Sequence, residues 1–440
     1  MPSKDLAARL RAEIDAIQLA DSHEHLQTEE QRLETGANAL GNLFAHYASS
    51  DLVSAGMTPA DLELVRDGGK PLAKRLRALM PHWSAIFNTS YARALKIAAR
   101  DLYGVELDGQ ASWKRVCDRF AETNKPGWYR HVMKEMAGID VSLHDTGNLE
   151  TDRFYFVPMV RFDNFIGVQS RAELDAIARQ ADMSIHSLDA FLAALDRQFE
   201  KAVAGGAVGV KMGYAYQRVL DFPKVTRHDA EVLFNRLFPP PVSTLGWAEV
   251  KPLQDFIMHQ VVQRCKEHHL PLQIHTGIQE GNGNDIRNAN PTHLIPLFIE
   301  YRDMVFDIFH AGYPYSTELA VMAKNFASVY PDMSWMHVIT QYGSRRILHE
   351  WLETVPANKI FAFGGDYCFI EGAYAHAKMA REDVATVLAE KVEWGHLTEA
   401  EAVRCAGMML RDNLIRVYDV EKKRKIGPRS DARKRTRKRC

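Results

Sequence analysis

Ile17-Gln18-Leu19-Ala20-Asp21-Ser22-His23-Glu24-His25 sets the reading of the whole chain. Its apolar start predicts a strand, and a strand turns successive side chains to opposite faces, so His23 and His25 share one face. Two imidazoles at that spacing reach one metal ion from one strand end, while Ser22 and Glu24 point elsewhere. His-x-His alone is weak evidence, because two surface histidines in a turn read the same way. The rest of the chain decides.

Upstream, residues from about Ser3 to Ile17 read as a helix. Downstream, 28–135 is helical in pattern, with apolar residues at three-to-four spacing in Asp61-Leu62-Glu63-Leu64-Val65 and from Ser90 to Ala98. It is expected to be an insertion after the first strand, serving as a cap or an oligomer surface. From there the chain alternates. Strands are expected at Ile139–His144, Phe154–Val160, Ala207–Met212, Leu270–His275, Met304–His310, Met333–Val338 and Ile360–Asp366. Helices are expected at about Ser187–Val203, Ala248–His269, Ser316–Ser328 and Ser344–Thr354, and Thr398-x-x-Glu401 is a capping box opening the final helices. With the first strand the count is eight. That is the count of a (β/α)₈ TIM barrel in a single α/β domain over 1–420, with function at the C-terminal ends of the strands.

Composition bounds the class. The 440 residues, 46% apolar and 25% charged, suit a soluble globular protein with a large core. No apolar run approaches the roughly 20 residues that span a bilayer. The opening Met1-Pro2-Ser3-Lys4-Asp5-Leu6 lacks the apolar core of a secretory signal, so a cytoplasmic location is expected. Cys117, Cys265, Cys368, Cys405 and Cys440 are scattered and form no Cys-x-x-Cys pair, which argues against a disulfide framework or a thiolate zinc site. Residues 421–440 hold eleven Lys/Arg and two acids, net +9 against −1 for the whole chain. They are expected to form a disordered basic tail, the only segment suited to nucleic acid or another polyanion.

The polar residues fall on the strand ends. Strand one ends in His23 and His25, strand four in Lys211, strand five in His275, strand six in His310 and strand eight in Asp366. Small-residue turns follow three of them: Lys211-Met212-Gly213, His275-Thr276-Gly277 and His310-Ala311-Gly312. In a barrel these ends converge on one mouth. A core histidine is usually a lone hydrogen-bonded group, and six ligand-type residues closing different strands do not fit that description.

His-x-His, Lys, His, His and Asp in this order is similar to the amidohydrolase superfamily of metal-dependent barrels. The text around it resembles the amidohydrolase-related (Amidohydro_2), FluG-like branch: Leu272-Gln273-Ile274-His275-Thr276-Gly277, Asn288-Ala289-Asn290-Pro291 and Phe309-His310-Ala311-Gly312-Tyr313-Pro314. Gly364-Gly365-Asp366 stands where that branch usually has Gly-Ser-Asp. The resemblance is strongest over about 205–420, local at 17–27 and weak between 28 and 135.

The resemblance implies that His23, His25, His275 and Asp366 bind or face a metal, with His310 a second-site ligand or a substrate-polarising group. It implies one or two divalent ions. Zn²⁺ suits imidazole-plus-carboxylate ligands, and Mn²⁺ or Fe²⁺ suits them as well. Lys211 keeps two readings: a carboxylated lysine bridging two ions, or an ammonium binding a substrate carboxylate. Asp366 is the expected proton-transfer residue and His310 the oxyanion stabiliser. Tyr214, Tyr216, Arg218, Arg287 and Arg161 are candidate substrate-binding residues, since arginine forks suit carboxylates. Cys368 reads as a small buried side chain, not a nucleophile.

The expected function is a metal-dependent hydrolase acting on an amide, lactone or related carbonyl bond of a small carboxylated molecule. The alternative is a metal-dependent decarboxylase or uronate-isomerase-like enzyme on the same scaffold. A non-catalytic interaction barrel is a third reading, and the intact ligand set counts against it. A homo-oligomer acting on a small molecule, with no membrane partner, completes the expectation.

Overall fold

The computed structural model describes residues 4–238 and 244–427. The first segment is a helix, α1 (Lys4–Asp15), packed by Leu6, Leu10 and Ile14, and it delivers the chain to β1 (Leu19–Glu24), every residue of which is buried. Helices α2 (Glu29–Glu34), α3 (Ala39–Leu43), α4 (Ala48–Ser54), α5 (Pro59–Arg66), α6 (Leu72–Trp83), α7 (Ser90–Tyr103) and α8 (Gln110–Thr123) follow, with no strand among them. Side chains of Thr28, Asn38, Thr58 and Thr89 cap four of these helices, accepting from backbone N–H groups that the helix itself leaves unpaired.

The strands β2 (Ile139–His144), β3 (Phe156–Arg161), β4 (Gly209–Met212), β5 (Leu272–Ile274), β6 (Phe306–Ile308) and β7 (Val329–Pro331) complete a seven-stranded sheet. It is parallel throughout and runs in sequence order, with Ala20 beside Val141, Val160 beside Val210 and Ile274 beside Ile308. Parallel strands need crossovers, and helices such as Leu188–Ala204 (capped by Ser187), Trp247–Glu267 and Ser316–Asn325 supply them. Covered on both faces, the strands read as near-continuous apolar runs.

Two expectations need correction. Met333–Val338 is not the seventh strand: pairing ends at Pro331, Trp335 is left-handed at φ 68°, and Met336–Ile339 is a helical turn. A short buried apolar run does not distinguish strand from helix, and here the Asp332 carboxylate, accepting from Ser334 N–H at 2.6 Å, ends the extended chain. The Ile360–Asp366 run holds only an isolated parallel bridge, Asp332 to Phe361. It is nonetheless bonded on two sides. Phe361 N–H donates to Pro331 O (3.1 Å), Ser22 N–H to Phe363 O (3.1 Å) and Asp366 N–H to His23 O (2.7 Å).

The basic tail also needs revision. Residues 428–440 lie outside the described residues, but Glu421–Gly427, though largely exposed, is tied down by hydrogen bonds. Arg424 donates to Asp140 Oδ1 at 3.0 Å and to the carbonyls of Phe154 and Arg153, both at 2.7 Å, and Arg153 Nε donates to Ile426 O at 2.6 Å. Just before it, Leu414, Tyr418 and Val420 join Ala20, Val141, Val157, Met159 and Val208 in one buried apolar cluster, and Tyr418 Oη donates to Asp307 at 2.5 Å. None of the described helices is long and apolar enough to cross a membrane.

Candidate metal centre

The C-terminal strand ends bring imidazoles and carboxylates to one point. His23 Nε2 and His25 Nε2 stand 3.1 Å apart. Asp366 Oδ1 is 3.7 Å from the first and 3.2 Å from the second, and its Oδ2 is 3.8 Å from His310 Nε2. His310 Nε2 is in turn 3.0 Å from His275 Nδ1. A further carboxylate joins them: Asp145, the residue after β2, has Oδ2 3.6 Å from His23 Nε2, and His23, His25 and Asp145 form a candidate cation site. Asp366 (φ 54°) and His310 (φ 59°) are both left-handed, a conformation that side chains larger than Gly adopt only when neighbours enforce it.

Carbonyl partners reveal where the protons are. A carbonyl only accepts, so a ring nitrogen facing one carries the hydrogen and the other nitrogen presents a lone pair. His25 Nδ1 faces Asp145 O at 2.8 Å, His310 Nδ1 faces Ser334 O at 2.9 Å and His275 Nε2 faces Ile278 O at 2.9 Å. His275 Nδ1 and His310 Nε2 therefore meet lone pair to lone pair. Burial holds both rings neutral, His275 well below the usual imidazole range and His310 down to about 4. Burial likewise lowers His23, whose Nδ1 has no partner among the described residues. Burial pushes the Asp366 carboxyl up, but its pairing with His25 and the nearby histidines holds it well below the usual carboxylate range, and although burial lowers His25, the same pairing raises it above the ordinary imidazole value.

This donor set fits a divalent cation. Two donors each ~2.0–2.1 Å from one ion at a tetrahedral angle stand about 3.3 Å apart, and the separations around His23 and His25 run from 3.1 to 3.7 Å, with the His25 ring and the Asp145 carboxylate 3.9 Å apart at their nearest. Neutral imidazoles and ionised carboxylates are the ligand forms.

Lys211 lies in the same interior, 2% exposed, its Nζ without a hydrogen-bond partner and 3.4 Å above the Phe309 ring. Burial lowers its ammonium to about 8.

Above these groups a cavity of about 70 Å³ is lined by His23, His25, Lys211, His275 and Asp366 together with Arg161, Tyr216, Glu280, Trp335, His46 and Tyr47. Arg161 ends β3 and grips Asp145 through Nε at 2.9 Å. The Tyr216 ring is tilted 53° to that of His275 with centres 4.7 Å apart, and its hydroxyl accepts from Glu280 N–H. Three expected substrate residues lie elsewhere. Arg218 is buried in an ion pair with Asp255 at 2.6 Å, Arg287 is 85% exposed and paired with Asp285, and Tyr214 is buried against Gly167. Sequence proximity to a strand end brings them near, but stronger local partners turn them away.

Asp145, His46, Tyr47, Glu280 and Trp335 escaped the sequence reading. Asp145 carried a usable signal, since it directly follows a recognised strand. His46 and Tyr47 carried none. They come from the turn between α3 and α4, where Tyr47 sits at φ 47° and lets two consecutive residues face one cavity.

Comparison with known proteins completes the picture. Residues 133–402 match the amidohydrolase family model. FluG of Emericella nidulans is 28% identical over 229 residues, 50% of this chain but only 26% of FluG's own length. Uronate isomerase from Thermotoga maritima superposes with a TM-score of 0.77 at 14% identity, covering 95% of this chain and 98% of that one. Glucuronate isomerase from Caulobacter crescentus gives 0.77 at 16% identity, covering 97% and 95%. At such identities these two structures speak for the fold, a mixed α/β protein built around a curled parallel sheet of TIM-barrel type. The family match runs over more than half of the chain, from just before β2 to beyond Asp366, and on that extent the chain belongs to the amidohydrolase family.

Proposed function

We propose that the protein is a metal-dependent hydrolase acting on an amide, lactone or related carbonyl bond of a small carboxylated molecule. The observation that supports this best is the pair of imidazole lone pairs, His275 Nδ1 and His310 Nε2, aimed at each other at 3.0 Å beside Asp366. Such a pair repels unless a cation lies against it. In this reading His23, His25, Asp145 and Asp366 would hold one divalent ion, most simply Zn²⁺, and His275 and His310 would hold a second. The extended segment 361–367, bonded to β7 and β1, is the eighth strand of a (β/α)₈ barrel, and α2–α8 is its cap.

When bound, a divalent cation supplies Lewis acidity toward a carbonyl oxygen and toward water. The chain does the rest. Asp366 takes a proton from the attacking water and hands it to the leaving group. His310, its proton held on Nδ1 by the Ser334 carbonyl, would turn its Nε2 lone pair toward a cation and serve as a ligand rather than as a donor to the carbonyl oxygen. Arg161 offers positive charge to a substrate carboxylate, Lys211 does so where it stays an ammonium, and Tyr216 and Trp335 wall the cavity. The four described cysteines are all free, in keeping with a reducing, cytoplasmic setting.

A uronate-isomerase-like reaction is the second reading, favoured by the two full-length fold neighbours that carry that name. The Zn²⁺-loaded protein, assayed in H₂¹⁸O against carboxylated amides, lactones and uronic acids, separates them. Hydrolysis puts one ¹⁸O into the product, and isomerisation gives a product of unchanged mass and no CO₂. Turnover only of the second kind would sink the hydrolase.

Lys211 has its own test. A neutral amine adds to CO₂ with loss of a proton, and burial makes that amine available as pH rises through about 8. If the carbamate bridges two ions, loading with bicarbonate at pH 9 gives a metal-to-protein ratio near two, and Lys211→Ala gives one. A ratio of one in both leaves Lys211 as the substrate's ammonium.

A further inference from the structure

We infer that Asp332 is a positioning residue that fixes which nitrogen of His310 faces the site, an inference resting on the functional reading of His310 given above. Asp332 follows β7 and is fully buried. It holds His310 from two directions. Its main-chain carbonyl accepts from Ala311 N–H at 2.7 Å, next to the His310 backbone. Its carboxylate Oδ1 accepts from Ser334 N–H at 2.6 Å, and Ser334 O accepts from His310 Nδ1–H at 2.9 Å. The elements it ties down are the strained ones: His310 (φ 59°), Ala311 (φ 52°) and Trp335 (φ 68°) are all left-handed. Conformations of this kind persist only where the surroundings over-determine them.

The competing arrangement shows what the clamp prevents. His275 Nε2 is committed to Ile278 O, so His275 Nδ1 can only accept. If the Ser334 carbonyl drifts away, His310 is free to carry its proton on Nε2 and donate it to His275 Nδ1 across the same 3.0 Å. That neutral imidazole–imidazole hydrogen bond satisfies both rings and fills the gap with a proton where a cation would otherwise lie. Asp332 thus keeps the lone pair of His310 Nε2 pointed inward by denying the ring its easier partner. The carboxylate need not be charged to do this, only able to accept from Ser334 N–H.

The test is the ring tautomer, read by ¹⁵N-histidine NMR on the full-length protein, with Zn²⁺ binding measured against a chromophoric chelator. Wild type is expected to show His310 with the proton on Nδ1. Asp332→Ala should move it to Nε2 and weaken Zn²⁺ binding at His275 and His310 about 10–100-fold, the usual effect of removing a ligand's supporting hydrogen bond. Asp332→Asn keeps the acceptor and should restore both readouts, which a merely structural role would not predict. If Asp332→Ala does not fold, Asp332→Glu, whose carboxylate is displaced by one methylene, reports the same tautomer. A wild-type His310 already protonated on Nε2, or an Asp332→Ala ring unchanged from wild type, overturns the inference. Failure of the hydrolase reading is separate. It would appear as turnover by isomerisation alone in H₂¹⁸O, while the wild-type ring still carried its proton on Nδ1.

Discussion

Protein carrying His23→Asn together with His25→Asn is expected to purify folded but without a stoichiometric divalent ion. Two of the four groups around the first cation position are lost, and asparagine offers only a weak carbonyl donor in their place. Loss of a single supporting hydrogen bond to a metal ligand costs 10–100-fold in affinity, so removing two ligands lowers affinity and turnover on the order of a hundredfold or more. The fold should survive, because β1 is held by its backbone ladder to β2 and by Gly365 N–H on Asp21 at 2.9 Å, none of which uses the imidazoles. Elemental analysis checks the ion, and thermal denaturation with added Zn²⁺ checks the linkage. An ion that binds only the folded state raises the melting temperature of the wild type, and the double variant should show no such rise. One ion per chain in the double variant would remove His23 and His25 from the centre.

The second large effect lies where helices α2–α8 meet the rest of the chain. Glu371, fully buried, accepts from Arg32 at 3.0 and 2.6 Å, from Tyr103 Oη at 2.5 Å, from Asn42 at 3.3 Å and from Trp128 at 3.4 Å. Arg32→Ala leaves that carboxylate buried without its cation and is expected to cost about 3–5 kcal/mol in chemical denaturation. Arg32→Ala with Glu371→Gln should recover much of the loss, because no charge then stays buried. The pH dependence has a definite sign. In the wild type burial raises the carboxyl, but Arg32 and the hydrogen bonds outweigh it and hold it below its ordinary 4.5. Its contribution is fully present above 4.5 and is lost as pH falls through the lower folded value. With Arg32 gone, burial is opposed only by the hydrogen bonds from Tyr103, Asn42 and Trp128, the folded carboxyl rises, and the variant gains stability relative to wild type as the solution is acidified. A deficit independent of pH would mean that the ion pair is not what joins α2 to the helix carrying Glu371.

Much of the fold was legible because each strand end announces itself. An apolar run, a ligand-type residue and a small-residue turn mark His275 and His310, and the same pattern finds Lys211. Asp145 follows the same rule but hides behind His144, which takes the strand's last position and spends its imidazole on Leu26 O and Thr151. Side-chain direction was less legible. Arg218 and Arg287 sit in loops after the right strands, yet a buried Asp255 from the helix Trp247–Glu267 captures one and a neighbouring Asp285 the other. The first pairing spans 37 residues and leaves no local trace in the sequence, whereas the second is between residues two apart. The seventh strand failed for a different reason: Met333, Trp335, Met336 and Val338 are buried whether extended or coiled, so hydrophobicity alone could not choose. His46 and Tyr47 depend on one left-handed residue in a helical stretch, and a tyrosine gives no warning of that conformation.

The clasp between β1 and the segment 361–367 bears on how the protein is made. Gly365 donates to Asp21 across 344 positions of chain, so β1 leaves the ribosome long before this partner exists. At a synthesis rate of about 5–20 residues per second, one edge of β1 stays bare for on the order of 20–70 s. A bare, flat, apolar edge is a template for sticking to other nascent chains, and charged side chains along it are the usual deterrent. Asp21 and Glu24 are such side chains. On the finished molecule they receive Gly365 N–H and Tyr367 N–H, and during translation the same two acids make the waiting edge an unwelcoming partner for anything else.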